Sequence, residues 1–420
     1  MFERCLWTET SQPPRFPASP LPASTDVAII GGGYTGLSAA RCLARRATDV
    51  TLLERHTVGW GASGRNGGFV LPGFKPEMEE LDRRLGPDRA AAMFRLSLDG
   101  IAFLEGLIQD EGIDCDFVRC GALTLAAKPG HLQALEESGR FLRDRLGYET
   151  ELLGRPDLVR EIGSYRYFGG LLDPRGCALH PAKYVSGLAI AAARAGARLC
   201  EKIEVTRLRR VNGRFEIETS AGVIQAREVL AATNGYTPRA LPDLRRRVIP
   251  IGSYQIATEP LHPAVARQLV PRGRVFSDTK NLLYYFRLSP DRRMVFGGRA
   301  SFTPTSPRRS AAILRAGMRE VFPELANTRI DYTWSGKVAY PLDHLPHAGR
   351  HNGIHYAMGY CGHGVALATY LGARMGEVLA GSGEIPALGT DSFRAVPLFY
   401  GVPWFLPFVG GYYRIRDWVG

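Results

Sequence analysis

The chain has 420 residues, 45% of them hydrophobic and 22% charged, with a formal net charge of +12. That is enough apolar content for a large core and for two or three domains. Arginines are scattered in twos and threes, as in Arg245-Arg246-Arg247, with no long basic run, so no nucleic-acid partner is expected and the positive balance suits an anionic small molecule. The seven cysteines include no C-x-x-C pair, which argues against a metal site or a disulfide framework and for a reducing, cytoplasmic location; no run of 18 apolar residues is available to span a membrane.

Residues 1–25 are rich in Pro and Ser, with Trp7 as the one large anchor, and read as an extended arm or a loose tail. Residues 27–30 are a short β-branched run, read as a buried parallel strand. Gly31-Gly32-Gly33-Tyr34-Thr35-Gly36 then matches G-x-G-x-x-G, a helix carries Leu37, Ala40 and Leu43 on one side, and residues 50–53 form a second strand ending at Glu54. The glycines differ in what they permit. Gly31 allows the tight turn, Gly33 the close approach of backbone to a pyrophosphate, and Gly36 the close packing of helix on strand. The helix N-terminus offers N–H groups to the phosphates. Glu54 stands roughly 20 residues on, where a carboxylate accepts from a ribose diol. The unit predicts a dinucleotide site.

The next loop, Gly61-Ala62-Ser63-Gly64-Arg65-Asn66-Gly67-Gly68, is small and flexible, with one cation and one amide. The run LLER…VGWGASGRNGGFV resembles the D-amino acid oxidase-like superfamily of FAD-dependent amine oxidoreductases, and within it the gamma-glutamylputrescine oxidoreductase group. The resemblance implies FAD, with Tyr34, Thr35, Arg55 and the 61–68 loop around it, and an amine-type substrate. Related dimethylglycine dehydrogenase-like enzymes carry a histidine at the place of Gly64-Arg65, and His56 lies before that loop, so non-covalent FAD is expected. The implied fold class is α/β. A Rossmann-type FAD-binding domain is joined to a second domain built on a mostly antiparallel sheet (α+β) that covers the flavin.

Further along, residues 75–110 are helical, 114–126 read as a strand pair around Gly121, 130–147 as a helix and 155–162 as another short one. His180-Pro181 precedes a helix holding Leu188, Ala191 and Ala195, and His180 is read as a cap or packing residue. Residues 203–232 are strand-like, broken by Asn212-Gly213, a hairpin signal. The resemblance sets the Val205 backbone at the adenine and Ala232-Thr233-Asn234-Gly235 against the cofactor. Residues 248–305 alternate with period two, which puts Tyr285 and Arg287 on one face of a strand. By resemblance this Tyr-x-Arg pair holds a substrate carboxylate, with Arg299 as the competing anchor. A helix over 311–322 ends at Pro323.

Trp334, Gly336, Asp343, Pro346 and Gly349 match a family run that marks the return to the FAD domain. A strand over 354–358 then leads into Gly359-Tyr360-Cys361-Gly362-His363-Gly364 and a helix from Val365. The N–H groups of that helix suit the negative pyrimidine edge of reduced flavin. The expected organisation is an arm (1–25), a discontinuous FAD domain (26–75, 170–240, 332–385), a cap (76–169, 241–331) and an aromatic tail (386–420). In the tail, Pro403, Pro407, Gly410 and Gly411 should break any long helix. An interfacial membrane anchor stays open beside packing on the body or on a partner subunit.

The implied activity is oxidation of an amine by hydride transfer to flavin N5, with imine hydrolysis and molecular oxygen as the expected acceptor. Tyr285, Arg287, Arg299 and His363 are the candidate catalytic residues. No lysine stands near Gly297-Gly298-Arg299, where some relatives place an oxygen-activating one, so oxidase and dehydrogenase both stay open. Two further readings are a FAD-carrying subunit of a hetero-oligomer and a 2-hydroxy-acid oxidoreductase of the same superfamily.

Overall fold

A computed structural model describes residues 3–14, 16, 20–298, 305–388 and 393–419, with side chains as far as residue 413. Two eight-stranded sheets carry the fold. The first is built on Ser24–Ile30, which pairs in parallel with Val50–Glu54 on one side and Gly222–Ala231 on the other. Ile30 therefore sits level with Leu53 and with Ala231, and the ends of all three strands converge. Arg198–Glu201 extends the sheet beyond Val50–Glu54, and Ile354–Met358 joins Gly222–Ala231 in parallel. The apolar run of the central strand is buried on both faces, as a parallel sheet covered by helices requires. Helices Tyr34–Ala44, Pro181–Arg194 and Gly364–Leu379 pack on one face, sharing one apolar cluster that includes Leu37, Leu188 and Leu371.

The second sheet runs Ile330–Tyr340, Ile249–Thr258, Met294–Gly298, Tyr284–Leu288, Val275–Asp278, Ala122–Leu125, Gly169–Asp173 and Glu151–Gly154. Every pairing is antiparallel except Val275–Asp278 with Ala122–Leu125. Phe286 is stacked between Phe276 and Phe296, at 5.2 and 5.4 Å between ring centroids, and closes this core with Phe322. The chain is thus a mixed α/β fold with a mostly antiparallel second sheet.

Several expectations change. Of the two readings of the first residues, the arm laid over the domain holds and the loose tail does not: Leu6–Glu9 is a helical turn, Trp7 is fully buried, and the Arg4 N–H donates to the Thr333 carbonyl. The flexible 61–68 loop contains the short helix Ala62–Arg65. Val118–Arg119 and Ala122–Leu125 do not pair with each other; the first joins Cys177–Ala178 and the second lies in the large sheet. Pro87–Glu111, expected in the cap, places Ile101 and Leu104 in the cluster of the first sheet's helices.

Ile330–Tyr340, expected at the return to the first sheet, pairs along its length with Ile249–Thr258, and the return comes at His347–His351. The tail forms a helix, Leu406–Val419, straight through Gly410 and Gly411. Pro407 sits in its first turn, where its missing N–H costs nothing. Packing of Leu406, Val409 and Tyr413 against Ile249, Ile251 and Tyr340 offsets the roughly 1 kcal/mol that each glycine costs a helix.

Candidate active site

One long cavity runs between the two sheets. Its floor begins at the converging strand ends. Gly31 turns the chain there at φ +112°, and an added Cβ would meet the Ala232 carbonyl oxygen at 2.7 Å. Gly36 lies too close to that turn for any side chain, with the Gly31 oxygen 2.0 Å from its Cβ position. Gly36 therefore packs helix against turn and does not line the cavity, whereas Gly31, Gly33, Tyr34 and Thr35 do. The Glu54 carboxylate accepts from the Gly32 N–H at 2.7 Å and the His56 N–H at 2.8 Å, which fixes it beside the turn. Arg55 and Val205 line the same end, where Arg55 pairs with Glu204 at 3.6 Å.

The helical turn Ala62–Arg65 is held from several sides. Ser63 Oγ accepts the Tyr34 N–H at 3.1 Å. The Asn66 amide donates to the Ser63 carbonyl at 2.9 Å, and its oxygen accepts the Gly68 N–H at 2.8 Å. The Arg65 carbonyl accepts from Gln255 Nε2 at 2.6 Å and from Trp334 Nε1 at 2.9 Å, while its guanidinium pairs with Glu3. Gly61, Ala62, Ser63, Arg65, Asn66 and Gly67 line the cavity; Gly68 lies just behind it.

Ala232, Thr233 and Asn234 line the opposite wall, with Gly235 behind them against the Lys337 backbone. Asn234 Oδ1 accepts the Gly359 N–H at 2.9 Å, tying this wall to the second glycine turn. In that turn Gly362, His363, Gly364 and Val365 line the cavity at the N-terminus of Gly364–Leu379, and Gly359 does not. Two helix N-termini, of Tyr34–Ala44 and Gly364–Leu379, therefore open on one space. Burial, with the nearby Lys75 charge, lowers the His363 imidazole to about 4, so it is neutral at pH 7.

The second sheet supplies the roof. Ile251, Ser253 and Gln255 alternate along one strand and all line the cavity, as does Tyr285, whose hydroxyl lies 2.9 Å from Ser253 Oγ. Arg287 is on the same strand face but outside the cavity. It is 4% exposed, donates from Nη1 to the Gly68 carbonyl at 3.1 Å, and lies 5.2 Å from the Trp7 ring. Burial lowers it to about 10. The Tyr-x-Arg pair is thus divided: two residues further along the strand, the arginine has passed beyond the cavity and buttresses the 66–68 turn. Arg299 lies outside the described residues. His180 is a cap, its Nδ1 accepting the Lys183 N–H at 3.2 Å.

Sequence reasoning missed Lys75, Ser253, Gln255, Tyr340 and Tyr360 as lining residues. Period-two alternation in IGSYQIAT was a usable signal for Ser253 and Gln255; Lys75 and Tyr340 had none. Two buried polar atoms in the lining, Gln255 Oε1 and His363 Nδ1, have no hydrogen-bond partner among the described residues. Orphaned acceptors and donors facing a cavity call for polar groups of a ligand. A long ligand with a diphosphate, at the glycine turn and helix N-terminus, and a polar ring system under Gln255 fits the lining that is present. Among the described residues no cluster of His, Cys, Asp and Glu could hold a metal.

The family described as DAO, FAD dependent oxidoreductase, matches residues 26–378. Gamma-glutamylputrescine oxidoreductase of Escherichia coli K12 is 33% identical over 410 residues, 94% of this chain and 93% of that protein. The "Probable oxidoreductase OrdL" of Haemophilus influenzae is 36% identical over 382 residues, covering 90% and 87% of the two chains. Among solved structures, glycine oxidase from Geobacillus kaustophilus superposes with a TM-score of 0.74 at 22% identity, over 90% of this chain and 100% of that one.

Proposed function

For a chain that belongs to the DAO family of FAD-dependent oxidoreductases, we propose that the reaction is oxidation of the C–N bond of an amine or amino acid-like substrate, with FAD held non-covalently. One observation carries this reading: a single cavity joins both glycine turns and their helix N-termini to the Ser253–Tyr285 pair and Lys75. Gly31, Gly33 and the N-terminus of Tyr34–Ala44 would hold the diphosphate, and Glu54 the ribose. Residues 62–67 and Gln255 line the cavity where they would meet the ring system, and the N-terminus of Gly364–Leu379 would stabilise negative charge on it. When bound, FAD accepts the hydride of the substrate C–H.

The residues around the roof act on charge. The acidic residues of the lining are Glu54 and Glu204, both at the far end and both engaged. Near His363 the charge is the Lys75 ammonium, which has no carboxylate within 4.0 Å among the described residues. Neutral His363 adds no second charge. A cation and a dehydrated wall both favour the neutral form of a substrate amine, the form that can be oxidised. Lys75 suits a carboxylate elsewhere on the substrate, and the Tyr285 hydroxyl offers it a further hydrogen bond.

The test is anaerobic: purified holoenzyme is mixed with amines, amino acids and 2-hydroxy acids, and bleaching of the flavin is followed. Bleaching by amines supports the reading, and bleaching by hydroxy acids alone overturns it. Admitting oxygen to the reduced enzyme then separates oxidase from dehydrogenase. Cys5, Cys42, Cys115, Cys120, Cys177 and Cys200 are buried and form no disulfide among the described residues, which supports a reducing, cytoplasmic setting.

A further inference from the structure

We propose that the C-terminal aromatic segment, together with Arg245, Arg246 and Arg247, docks this protein on an anionic phospholipid surface. Between residues 398 and 412 six large apolar side chains face solvent: Leu398 is 72% exposed, Tyr400 70%, Val402 67%, Trp404 58%, Phe408 74% and Tyr412 57%. Isolated apolar residues on a surface are ordinary, but six large ones exposed within one short segment mark an interaction site. The run is not a loose end. Phe399 and Leu406 are buried, Phe405 and Val409 pack on Ile249, Ile251 and Tyr340, and the Val396 N–H donates to the Arg246 carbonyl at 2.8 Å. One face of the segment is thus fixed to the body while the other presents aromatics outward.

Charge selects the occupant. The Arg246 guanidinium stacks 4.8 Å from the exposed Tyr400 ring, and Arg245 donates from Nη2 to the Gly401 carbonyl at 3.3 Å. Arg247 donates to the Phe393 carbonyl and lies 3.0 Å from His351 Nε2. None of the three has a carboxylate within 4.0 Å among the described residues; the nearby Asp243 is taken by Asn352 at 2.7 Å. Three guanidiniums without counter-charges, beside an outward aromatic face, match a surface that offers phosphates above an apolar layer. The guanidinium fork binds phosphate, and Trp and Tyr settle at the boundary between headgroups and acyl chains.

A second copy of this chain covering the patch would bury the three guanidiniums with no carboxylate beside them among the described residues. A nucleic acid would leave Leu398, Val402 and Phe408 without an apolar acceptor. The net charge of +12 favours an anionic surface over a neutral one. Docking in this way also has a consequence for the cavity. Ile251, Tyr340 and Cys361, which line it, form one apolar cluster with Leu406 of the docked segment.

The experiment is co-sedimentation of the FAD-loaded enzyme with vesicles of phosphatidylcholine alone and of phosphatidylcholine with phosphatidylglycerol. Binding is expected only to the anionic vesicles, falling as salt rises. The double substitution W404S/F408S and the single Arg246→Gln should each weaken it at least tenfold, with flavin absorbance and amine oxidation unchanged. The single variant keeps the test open should the double one lose flavin. Absence of binding to phosphatidylglycerol vesicles overturns the proposal, as does equal binding to both vesicle types or binding untouched by Arg246→Gln. A dimer in light scattering that W404S/F408S converts to monomer, without lipid binding, assigns the patch to a second copy instead.

Discussion

The Tyr360 hydroxyl lies 2.7 Å from Thr35 Oγ1, one oxygen from each of the glycine turns that open helices onto the cavity. Both residues are buried and 325 positions apart in sequence. The bond fixes the two helix N-termini relative to each other. Removing either hydroxyl strands the other, so Tyr360→Phe and Thr35→Val should each cost about 1–3 kcal/mol. The double variant should recover part of that loss. A double-mutant cycle on denaturant unfolding, with a coupling of about 1 kcal/mol expected, is the measurement; strict additivity would show that the two hydroxyls do not meet.

At Gly33 an added Cβ would meet Ser63 Oγ at 2.8 Å, the same oxygen that accepts the Tyr34 N–H. Gly33→Val should therefore break the link between the turn and Ala62–Arg65 and fill the space of the diphosphate. The purified variant is expected to be colourless and not to recover colour with added FAD. From the wild-type protein, acid precipitation should release all the flavin; colour kept in the pellet would mean a covalent bond.

Lys75 and Arg287 should separate in kinetics. Lys75→Met removes the cation beside His363 and should raise KM for carboxylate-bearing amines by a factor of about 10–100, the equivalent of a charge-assisted bond of ~1.5–3 kcal/mol, with kcat little changed. Amines without a carboxylate should keep their KM. Arg287→Met removes the prop under Gly68 and should lower FAD retention and melting temperature instead. At saturating FAD its KM should match the wild type, and a large rise in KM would return Arg287 to the substrate.

Burial lowers the His180 imidazole from 6.5 to about 4, with the Lys183 and Arg287 charges adding to burial and Asp116 opposing it. The folded value lies below the unfolded one, so the unfolded chain takes up the proton first as pH falls. This contribution is complete above pH ~6.5 and is lost on going down to pH ~4, to a total of about 3 kcal/mol. His363 titrates in the same window. His180→Gln keeps an acceptor for the Lys183 N–H but cannot titrate. Its melting temperature should fall less steeply between pH 6.5 and 4.5 than that of the wild type, and equal slopes would remove His180 as a source of acid sensitivity.

The first glycine turn, its two flanking strands and the second glycine turn were legible in sequence because each is a local event. Strand period, a φ that only glycine adopts freely and a helix start depend on neighbours within a few residues. The family resemblance rested on the same local runs. What lies between distant segments was not legible. Tyr285 and Arg287 share a strand face by the pleat, but only the position of that strand across the cavity decides that one enters it and the other reaches Gly68. Lys75 carries no local signal at all; it becomes a lining residue because its loop closes the cavity beside a turn nearly 290 residues later. The tail shows the same division. Its prolines and glycines spoke against a helix, and burial of Leu406, Val409 and Tyr413 against the second sheet made one. Local propensity is worth about 1 kcal/mol per residue, and a packed apolar face contributes more than that for each large side chain it buries, so tertiary contact decides wherever the two disagree.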